Sequence, residues 1–323
     1  MNQRSITGTA LTMTELGFGA SVIGNLYRPA TDEDAAAAVA AAWDCGVRYF
    51  DTAPHYGLGL SERRLGAALR HYPRDQYVVS SKVGRLLVPN ENPSGQDSEG
   101  FAVPDTLRRQ WDFSRDGVLR SIESTLNRTG LDRVDIVYLH DPDDHWQQAA
   151  DEAMPALAQL RDEGVVGAIG AGMNQSAMLA RFLRETAADL VMLAGRYTLL
   201  DQGALEDVLP AALEHHKSVV AVGVFNSGLL ANDQPAAGMK YDYQDAPAEL
   251  IARAKAIAEI CERHGTTLPA AAIAFPLAHP AVVNVTLGMR TPQQVARNVG
   301  LFRGGVPDAL WADLRANGLI RTA

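Results

Sequence analysis

The sequence predicts a single α/β domain, residues 1–323, folded as a (β/α)8 TIM barrel with long loops at its C-terminal rim. Eight short apolar, β-branched runs alternate with amphipathic helical segments along the chain. Runs with so few polar residues are typical of parallel strands that helices cover on both faces. The length of 323 residues is large for one domain, but α/β barrels reach this size. An open doubly wound sheet is the alternative, although no G-x-G-x-x-G motif follows the first run.

The elements follow one another in strand and helix order. The predicted strands are residues 14–21, 47–53, 77–84, 134–142, 165–173, 189–197, 218–226 and 282–289. The predicted helices include residues 32–46, 61–72, 114–130, 150–164, 250–265 and 291–302. Several begin at Asp, Ser or Thr and several end at Gly, as helix termini prefer, and Ser61 is expected to cap the second helix.

Two connections are too long for plain turns. Residues 85–113 and 226–247 each follow a predicted strand, which places both at the C-terminal rim of a barrel. Long loops of compact domains are usually lids or binding loops. We therefore expect both segments to border a binding site.

Composition restricts the partners. The formal net charge is -9, from 29 Lys+Arg and 38 Asp+Glu, which argues against a nucleic-acid binder because such surfaces are basic. The two cysteines, Cys45 and Cys261, have no metal-site spacing and indicate a reducing compartment. No targeting segment or membrane span is recognisable. The sequence predicts a cytoplasmic protein, monomeric or a small homo-oligomer, that acts on a small molecule.

Polar side chains stand at three consecutive strand ends. Asp51, Lys82 and His140 end the second, third and fourth predicted strands, and Tyr56 lies in the loop after the second. Each has an ordinary structural explanation when taken alone: a loop cap, a lysine reaching to solvent, a core histidine. Because neighbouring barrel strands bring their ends together, the joint placement favours an active site.

These residue types suit proton transfer at a carbonyl or carbinol. A phenol with its ordinary pKa of about 10 is a poor acid or base near neutrality. Lys82 would lower the pKa of Tyr56, and Asp51 would keep the lysine charged. A neutral His140 could donate a hydrogen bond to the substrate oxygen. The hydride needs a cofactor. The tight pair His215 and His216 lies in a helical segment, so we predict no metal site.

Three strings, "YFDTAPHYG", "SSKVG" and "YLHDP", resemble the aldo-keto reductases, and the resemblance runs in order through nearly the whole chain. It implies an oxidoreductase on a (β/α)8 barrel with a nicotinamide cofactor lying across the rim. It also implies that Tyr56 is the acid/base, that Lys82 and Asp51 tune the Tyr56 pKa, and that His140 orients the substrate.

The resemblance extends to the cofactor site. "GVFNSGLL" resembles the loop that follows strand seven, in which Phe225 would stack on the nicotinamide, and "LGMRTPQQVARN" resembles the segment that holds the adenosine half. The implied cofactor-binding residues are Gly19, Ala171, Gly172, Asn174, Phe225, Asn226, Ser227, Gly228, Leu229, Gly288, Arg290, Gln294 and Asn298.

The chain departs from many relatives at two places. Ala171 and Gly172 stand where a Ser-Asn pair usually binds the carboxamide, which leaves Asn174 or Gln175 as substitutes. Gly288, Met289 and Gln294 stand where NADP-preferring relatives carry a Lys-Ser pair and an Arg. These changes favour NAD. Arg290 keeps NADP use open, because a guanidinium pairs well with a phosphate.

Three further strings, "GAGMNQ", "GRYTLLDQ" and "FNSGLL", resemble the branch of L-fucose dehydrogenase, D-threo-aldose 1-dehydrogenase and pyridoxal 4-dehydrogenase. An aldose such as L-fucose would be oxidised at its anomeric hydroxyl to the lactone. Pyridoxal would be oxidised through its cyclic hemiacetal to 4-pyridoxolactone. A low-turnover regulatory barrel that keeps its cofactor is the non-catalytic alternative. The substrate-lining candidates are His55, Trp111, Arg196 and Tyr197.

Overall fold

Eight parallel strands close into a barrel in the computed structural model, which describes residues 1–242 and 244–321. In chain order and in spatial order they are β1 (Leu16–Gly19), β2 (Tyr49–Asp51), β3 (Val78–Val83), β4 (Ile136–His140), β5 (Ala168–Met173), β6 (Leu190–Ala194), β7 (Ser218–Val222) and β8 (Val282–Gly288). Strand β8 pairs in parallel with β1 and completes the ring. The predicted barrel is confirmed. The proposed domain 1–323 and the loop 226–247 both include positions outside the described residues.

Helices surround the barrel. They are α1 (Asp32–Asp44), α2 (Leu60–Leu69), α3 (Arg115–Thr129), α4 (Trp146–Gln148), α5 (Met154–Asp162), α6 (Ser176–Glu185), α7 (Val208–Glu214), α8 (Ala248–Arg263), α9 (Leu268–Leu277), α10 (Pro292–Gly304) and α11 (Asp308–Ala316). A π-helical segment, Ala149–Ala153, joins α4 to α5, and short 3-10 helices lie at Ala20–Gly24, Arg74–Gln76, Gly203–Glu206 and Asn226–Ala231. None of the helices within the described residues is long and apolar enough to cross a membrane.

The core has two layers because successive strand residues point to opposite faces. Tyr49 and Tyr138 lie in the cluster inside the barrel, whereas Phe50, between two inward residues of β2, packs in the cluster under the helices. A hairpin of Gln3–Ser5 and Thr12–Thr14 precedes the barrel, and Met13 of this hairpin joins the inner cluster. The sequence analysis assigned Thr14 to the first barrel strand. The structure assigns it to this hairpin instead.

The predicted loop 85–113 contains an antiparallel hairpin rather than irregular chain. Arg85–Pro89 pairs with Leu107–Trp111, and we call this segment, residues 85–111, the rim hairpin. Its far end is bonded to the loop after β1, since the backbone N–H of Ala102 donates to Asn25 at 2.9 Å. The rim hairpin therefore adjoins the mouth of the barrel at its C-terminal end.

The turn around Tyr56 is fixed by close backbone packing. Gly57 has φ 62°, and a Cβ atom there would stand 2.1 Å from the carbonyl oxygen of Gly24, so glycine is required. Ser61 does not cap α2 as expected, because Gly59 holds the cap position. Its hydroxyl instead donates to the Ala20 carbonyl at 2.8 Å. The buried hydroxyl thus ties α2 to the segment after β1.

Candidate active site

A cavity of about 520 Å³ opens at the C-terminal ends of the barrel strands. Of the residues predicted from sequence, its lining includes Gly19, Asp51, His55, Tyr56, Lys82, His140, Gly172, Asn174, Phe225, Asn226, Ser227, Gly228 and Gly288. The strand ends thus bring together the four polar residues singled out for chemistry and much of the set singled out for the cofactor.

Asp51 and Lys82 form a buried ion pair at the base of this cavity. The Lys82 ammonium donates to the two Asp51 carboxylate oxygens at 2.7 and 2.9 Å and to the Thr52 carbonyl at 3.0 Å. These contacts, together with a hydrogen bond between Lys82 and Tyr56, satisfy the ammonium group, as a buried charge requires. Burial alone would lower the pKa of Lys82, but Asp51 and Tyr56 outweigh it and raise that pKa. The lysine is held as a fixed cation.

A chain of buried hydroxyl groups lies below Asp51. Ser80 donates to the Asp51 carboxylate at 2.7 Å. Because that donation uses the only serine proton, the Tyr49 phenol, 2.8 Å away, donates to Ser80. Tyr138 lies 3.4 Å beyond Tyr49.

Sequence reasoning missed these three residues, although a signal existed. Tyr49, Ser80 and Tyr138 each precede a predicted site residue by two positions on the same strand. Residues two apart share one face of a strand. Each hydroxyl therefore lies inside the barrel directly beneath Asp51, Lys82 or His140.

Tyr56 lies above the ion pair. Its ring centre is 4.8 Å from the Lys82 nitrogen and 5.8 Å from the centre of the His140 ring. Burial raises the pKa of Tyr56 to about 12, while the charge of Lys82 acts in the opposite direction. We expected a lowered pKa. The lysine acts as anticipated, but the loss of water around the phenol is the larger effect, so the phenol holds its proton at neutral pH.

Both histidines of the cavity are neutral. Burial, together with the charges of Arg85 and Lys82, lowers the pKa of His140 far below its usual range. Burial and the neighbouring arginines lower the pKa of His55 to about 2. The Arg109 guanidinium donates to His55 Nδ1 at 2.6 Å, so the His55 proton lies on Nε2. A neutral imidazole can donate one hydrogen bond to a substrate oxygen without carrying charge.

Two arginines of the rim hairpin, which the sequence analysis did not single out, surround these histidines. Arg109 is ion-paired with Asp97, and its guanidinium also donates to the backbone carbonyl of His55 at 2.9 Å. Arg85 is ion-paired with Asp141, the residue after His140. Both arginine side chains are about nine-tenths buried. Charged groups therefore fasten the rim hairpin to the side of the cavity that contains the two histidines.

Three of the four substrate-lining candidates lie outside the cavity lining. Trp111 belongs to the rim hairpin, with its ring 4.4 Å from the Arg85 guanidinium. Arg196 is ion-paired with Asp242 at 2.7 Å. Tyr197 is buried against Phe275 of α9, with 5.0 Å between ring centres. Strand β6 ends at Ala194, three residues earlier than the predicted strand, so the chain has already bent away from the rim at Tyr197.

Five of the predicted cofactor residues also lie outside that lining, namely Ala171, Leu229, Arg290, Gln294 and Asn298. Ala171 and Leu229 are fully buried in the core under the helices. Ala171 precedes Gly172 in β5, so the two face opposite sides and only Gly172 reaches the cavity. The side chain of Gln294 accepts a hydrogen bond from the backbone of Arg290 at 2.7 Å. Asn298 is buried in α10.

Arg290 lies beside a smaller cavity of about 300 Å³ that shares Val22, Tyr27 and Gly288 with the main one. Its guanidinium donates to the backbone carbonyls of Leu26 at 2.6 Å and Val22 at 3.3 Å. Gln294 lines the same small cavity. Arg290 therefore holds the loop after β1 in place.

The loop after β7 has the features of a cofactor cradle. Asn226, Ser227 and Gly228 have φ values of 45°, 57° and 104°, a run of left-handed conformations that usually persists only at functional sites. The Asn226 side-chain oxygen is buried and has no hydrogen-bond partner within the described residues. Phe225 adds an aromatic ring to the cavity wall. These features suit a nicotinamide group. Its ring would stack on Phe225, and its carboxamide would donate to the side-chain oxygen of Asn226.

Comparison with known proteins identifies a family and two enzymes that the chain resembles over nearly its full length. The model of the aldo/keto reductase family matches residues 15–316. The chain is 50% identical to a D-threo-aldose 1-dehydrogenase of a Pseudomonas species over 316 residues, which cover 97% of this chain and 96% of that protein. It is 39% identical to the pyridoxal 4-dehydrogenase of Microbacterium luteolum, with 98% of each chain covered. The holo form of an aldo-keto reductase from Bacillus halodurans has the same fold, with a TM-score of 0.77, 24% identity and coverage of 100% and 97%.

Proposed function

We propose, since this chain belongs to the aldo/keto reductase family, that it is an aldose 1-dehydrogenase that oxidises the anomeric C1 hydroxyl of an aldose such as L-fucose to the lactone. The observation that carries the proposal is the contact between Tyr56 and the saturated Lys82–Asp51 ion pair, beside a neutral His140. The 50% identity to a D-threo-aldose 1-dehydrogenase supports an aldose as the substrate class.

The protein residues handle the proton and the oxygen. A nicotinamide cofactor held by Phe225 and Asn226 would supply the acceptor for the hydride of C1. Because the phenol holds its proton at neutral pH, Tyr56 must first release that proton to solvent. The resulting phenolate accepts the hydroxyl proton as the C1–O bond becomes a carbonyl, so that one hydride and one proton leave the sugar. The Lys82 cation favours the phenolate form of Tyr56, and Asp51 holds that cation in place. His140 donates a hydrogen bond that orients the reacting oxygen.

NAD is the preferred cofactor in this proposal. Phe225, Asn226 and Gly172 would contact the nicotinamide half, and the segment that begins at Gly288 would contact the adenosine half. Met289 is fully buried, and the Arg290 guanidinium is used by backbone carbonyls. Met289 therefore cannot clamp a 2′-phosphate. Arg290 retains one buried nitrogen, Nη1, without a hydrogen-bond partner among the described residues, which leaves NADP binding open. Arg28, exposed beside Arg290, supplies the positive charge through which NADP would still bind.

Pyridoxal is the second candidate substrate, because the chain is 39% identical to a pyridoxal 4-dehydrogenase over nearly its full length. Its cyclic hemiacetal presents a carbinol to the same four residues. The product would again be a lactone, so the catalytic residues do not distinguish the two substrates.

The test is the initial rate of reduced-cofactor formation with NAD and NADP on L-fucose, D-arabinose, L-galactose and pyridoxal, with the product identified as a lactone. We expect rapid oxidation of at least one aldose, faster with NAD. Turnover of pyridoxal alone would replace the proposal with the second candidate. Folded, cofactor-binding protein that oxidises none of the three aldoses would overturn it.

A further inference from the structure

We infer that Asp141 determines substrate specificity by accepting a hydrogen bond from the hydroxyl group on C2, the carbon next to the reacting C1. The inference rests on the proposed function and adds to it: the substrate must carry a hydroxyl at that position. Asp51 and Asp141 are the two carboxylates in the cavity lining among the described residues. The first is occupied by Lys82 and Ser80, so Asp141 is the one the proposed mechanism leaves unused.

The position of Asp141 selects C2. Its Oδ2 atom lies 3.7 Å from Nε2 of His140, the group assigned to the reacting oxygen. Neighbouring oxygens of a vicinal diol are separated by about one hydrogen-bond length, of order 3 Å. A sugar whose C1 oxygen is bound by His140 therefore brings its C2 oxygen within reach of the Asp141 carboxylate.

The carboxylate is held in place from one side. Arg85 and His140 both approach the Oδ2 atom. The Oδ1 atom makes no hydrogen bond within residues 1–242 and 244–321 and is therefore available to a ligand. Arg85 is itself positioned by Trp111, whose ring is 4.4 Å away, and by His55 Nδ1 at 3.3 Å. Trp111 and Arg85 are positioning residues in this account.

The backbone of Asp141 adds independent support. This residue has φ 45°, in the left-handed region that non-glycine residues seldom adopt. Backbone strain of this kind is found mainly at functional sites. The Asp141 carboxylate lines the cavity, and about a third of the side chain is exposed.

The chemistry of the group favours a sugar. A carboxylate acceptor needs a donor, and a carbinol hydroxyl supplies one. In a pyridoxal hemiacetal the carbon next to the reacting carbon is a ring atom without a hydroxyl group, so it offers Asp141 no donor at this position. Burial raises the pKa of Asp141, and the neighbouring Arg85 guanidinium opposes that rise and holds the carboxylate in place.

The test pairs a substrate change with a protein change. D-arabinose and 2-deoxy-D-ribose differ only by the C2 hydroxyl, so we compare kcat/KM for both sugars in the wild type and in Asp141→Gly. Glycine suits the left-handed backbone, and Asp141→Asn serves as the second variant for the same reason. We expect the wild type to prefer D-arabinose by about 10- to 100-fold, the usual worth of a hydrogen bond to a charged group. Asp141→Gly should lose most of this preference and change the 2-deoxy rate by less than about threefold.

The controls separate this inference from the proposed function. Asp144→Asn removes an equivalent charge from an exposed position in the same loop and should keep the wild-type preference. Arg85→Gln should weaken the preference without abolishing turnover of the 2-deoxy sugar. If Asp141→Gly and Asp141→Asn lower both sugars equally, or retain the full preference, the inference is wrong although the aldose activity stands. A wild type that oxidises neither sugar, nor any other aldose, would overturn the proposed function instead.

Discussion

The site is built from two regions of different character. Asp51, Lys82 and His140 stand on barrel strands, where the paired backbone fixes them, and buried hydrogen bonds also hold Asp51 and Lys82. The rim hairpin crosses over them from outside the barrel and is fastened by its charged residues, chiefly Arg85 and Arg109. In the proposed mechanism the first region transfers the proton. The second region contacts His55 and Asp141, which line the same cavity. We therefore expect the barrel strands to carry the chemical step. We expect the rim hairpin to influence which sugar binds, through its contacts with His55 and Asp141.

The largest expected effect comes from Tyr56→Phe, which removes only the phenolic oxygen from the barrel region. The aromatic contacts with His140 and Phe101 remain, so the fold should be retained. Loss of the proton acceptor should reduce kcat by about 10²- to 10⁴-fold on every substrate, which is the range of general acid–base catalysis. Steady-state kinetics and thermal denaturation measure the two properties.

Tyr72→Phe is the matched control, because Tyr72 stacks on Trp43 away from the cavity. It should leave kcat unchanged. Turnover of Tyr56→Phe near the wild-type rate would show that another group accepts the proton, and the assignment of the barrel region as the site of chemistry would be lost.

An intermediate and selective effect is expected from Arg109→Met in the rim hairpin. The substitution leaves Asp97 as a buried unpaired carboxylate and removes the bonds to His55, which should cost about 3 kcal/mol. The proton-transfer residues stay on their strands. We therefore expect KM for the aldose to rise by at least about tenfold while kcat changes far less, with faster amide hydrogen exchange confined to the rim hairpin.

Arg108→Met serves as the control, since Arg108 is the exposed neighbour on the same strand. It should leave both constants unchanged. An equal loss of kcat and no change of KM in Arg109→Met would mean that the rim hairpin supports the chemical step and not the substrate.

The smallest expected effect concerns stability against pH. The pKa of His55 falls to about 2 in the folded protein from its ordinary value near 6.5. The unfolded chain therefore binds one more proton at this residue between these values, and stability decreases as the pH falls below 6.5. For each unit by which the pH falls in that range, the free energy of unfolding should decrease by about 1.4 kcal/mol through His55 alone.

In His55→Gln this contribution disappears, so the slope of unfolding free energy against pH below 6.5 should become shallower by that amount. Urea unfolding at a series of pH values measures it. The exposed His71, substituted in the same way, is the control. An unchanged slope in His55→Gln would show that His55 is protonated in the folded protein, and its assignment as a neutral donor would fail.

Sequence reasoning predicted the barrel and the strand-end site because both depend on local patterns. Apolar runs of strand length identify buried parallel strands, and polar residues at their ends must converge at one rim. The same regularity would have revealed Ser80, two positions before Lys82. The prediction of a lowered Tyr56 pKa failed because burial of the phenol is a property of the whole fold, which no single neighbour decides.

The rim hairpin could not be predicted in the same way. Its two strands are separated by 17 residues in the sequence and carry mixed polar and apolar residues, so no clear period identifies them. The contacts of Arg109 with His55 span 54 positions and exist only after the rim hairpin folds back. Tyr197 was misplaced for a related reason, since the position where β6 ends depends on packing against α9.

The most direct test of the separate roles of the barrel strands and the rim hairpin is a ratio of kcat/KM values. The ratio is that for D-arabinose to that for 2-deoxy-D-ribose, measured side by side in Tyr56→Phe and Asp141→Gly. If the barrel strands fix the reaction, Tyr56→Phe lowers both rates by the same large factor and leaves the ratio at its wild-type value. If Asp141, which Arg85 of the rim hairpin holds in place, selects the sugar, Asp141→Gly brings the ratio close to one while the 2-deoxy rate persists. A changed ratio in Tyr56→Phe, or an unchanged ratio in Asp141→Gly, would contradict the account.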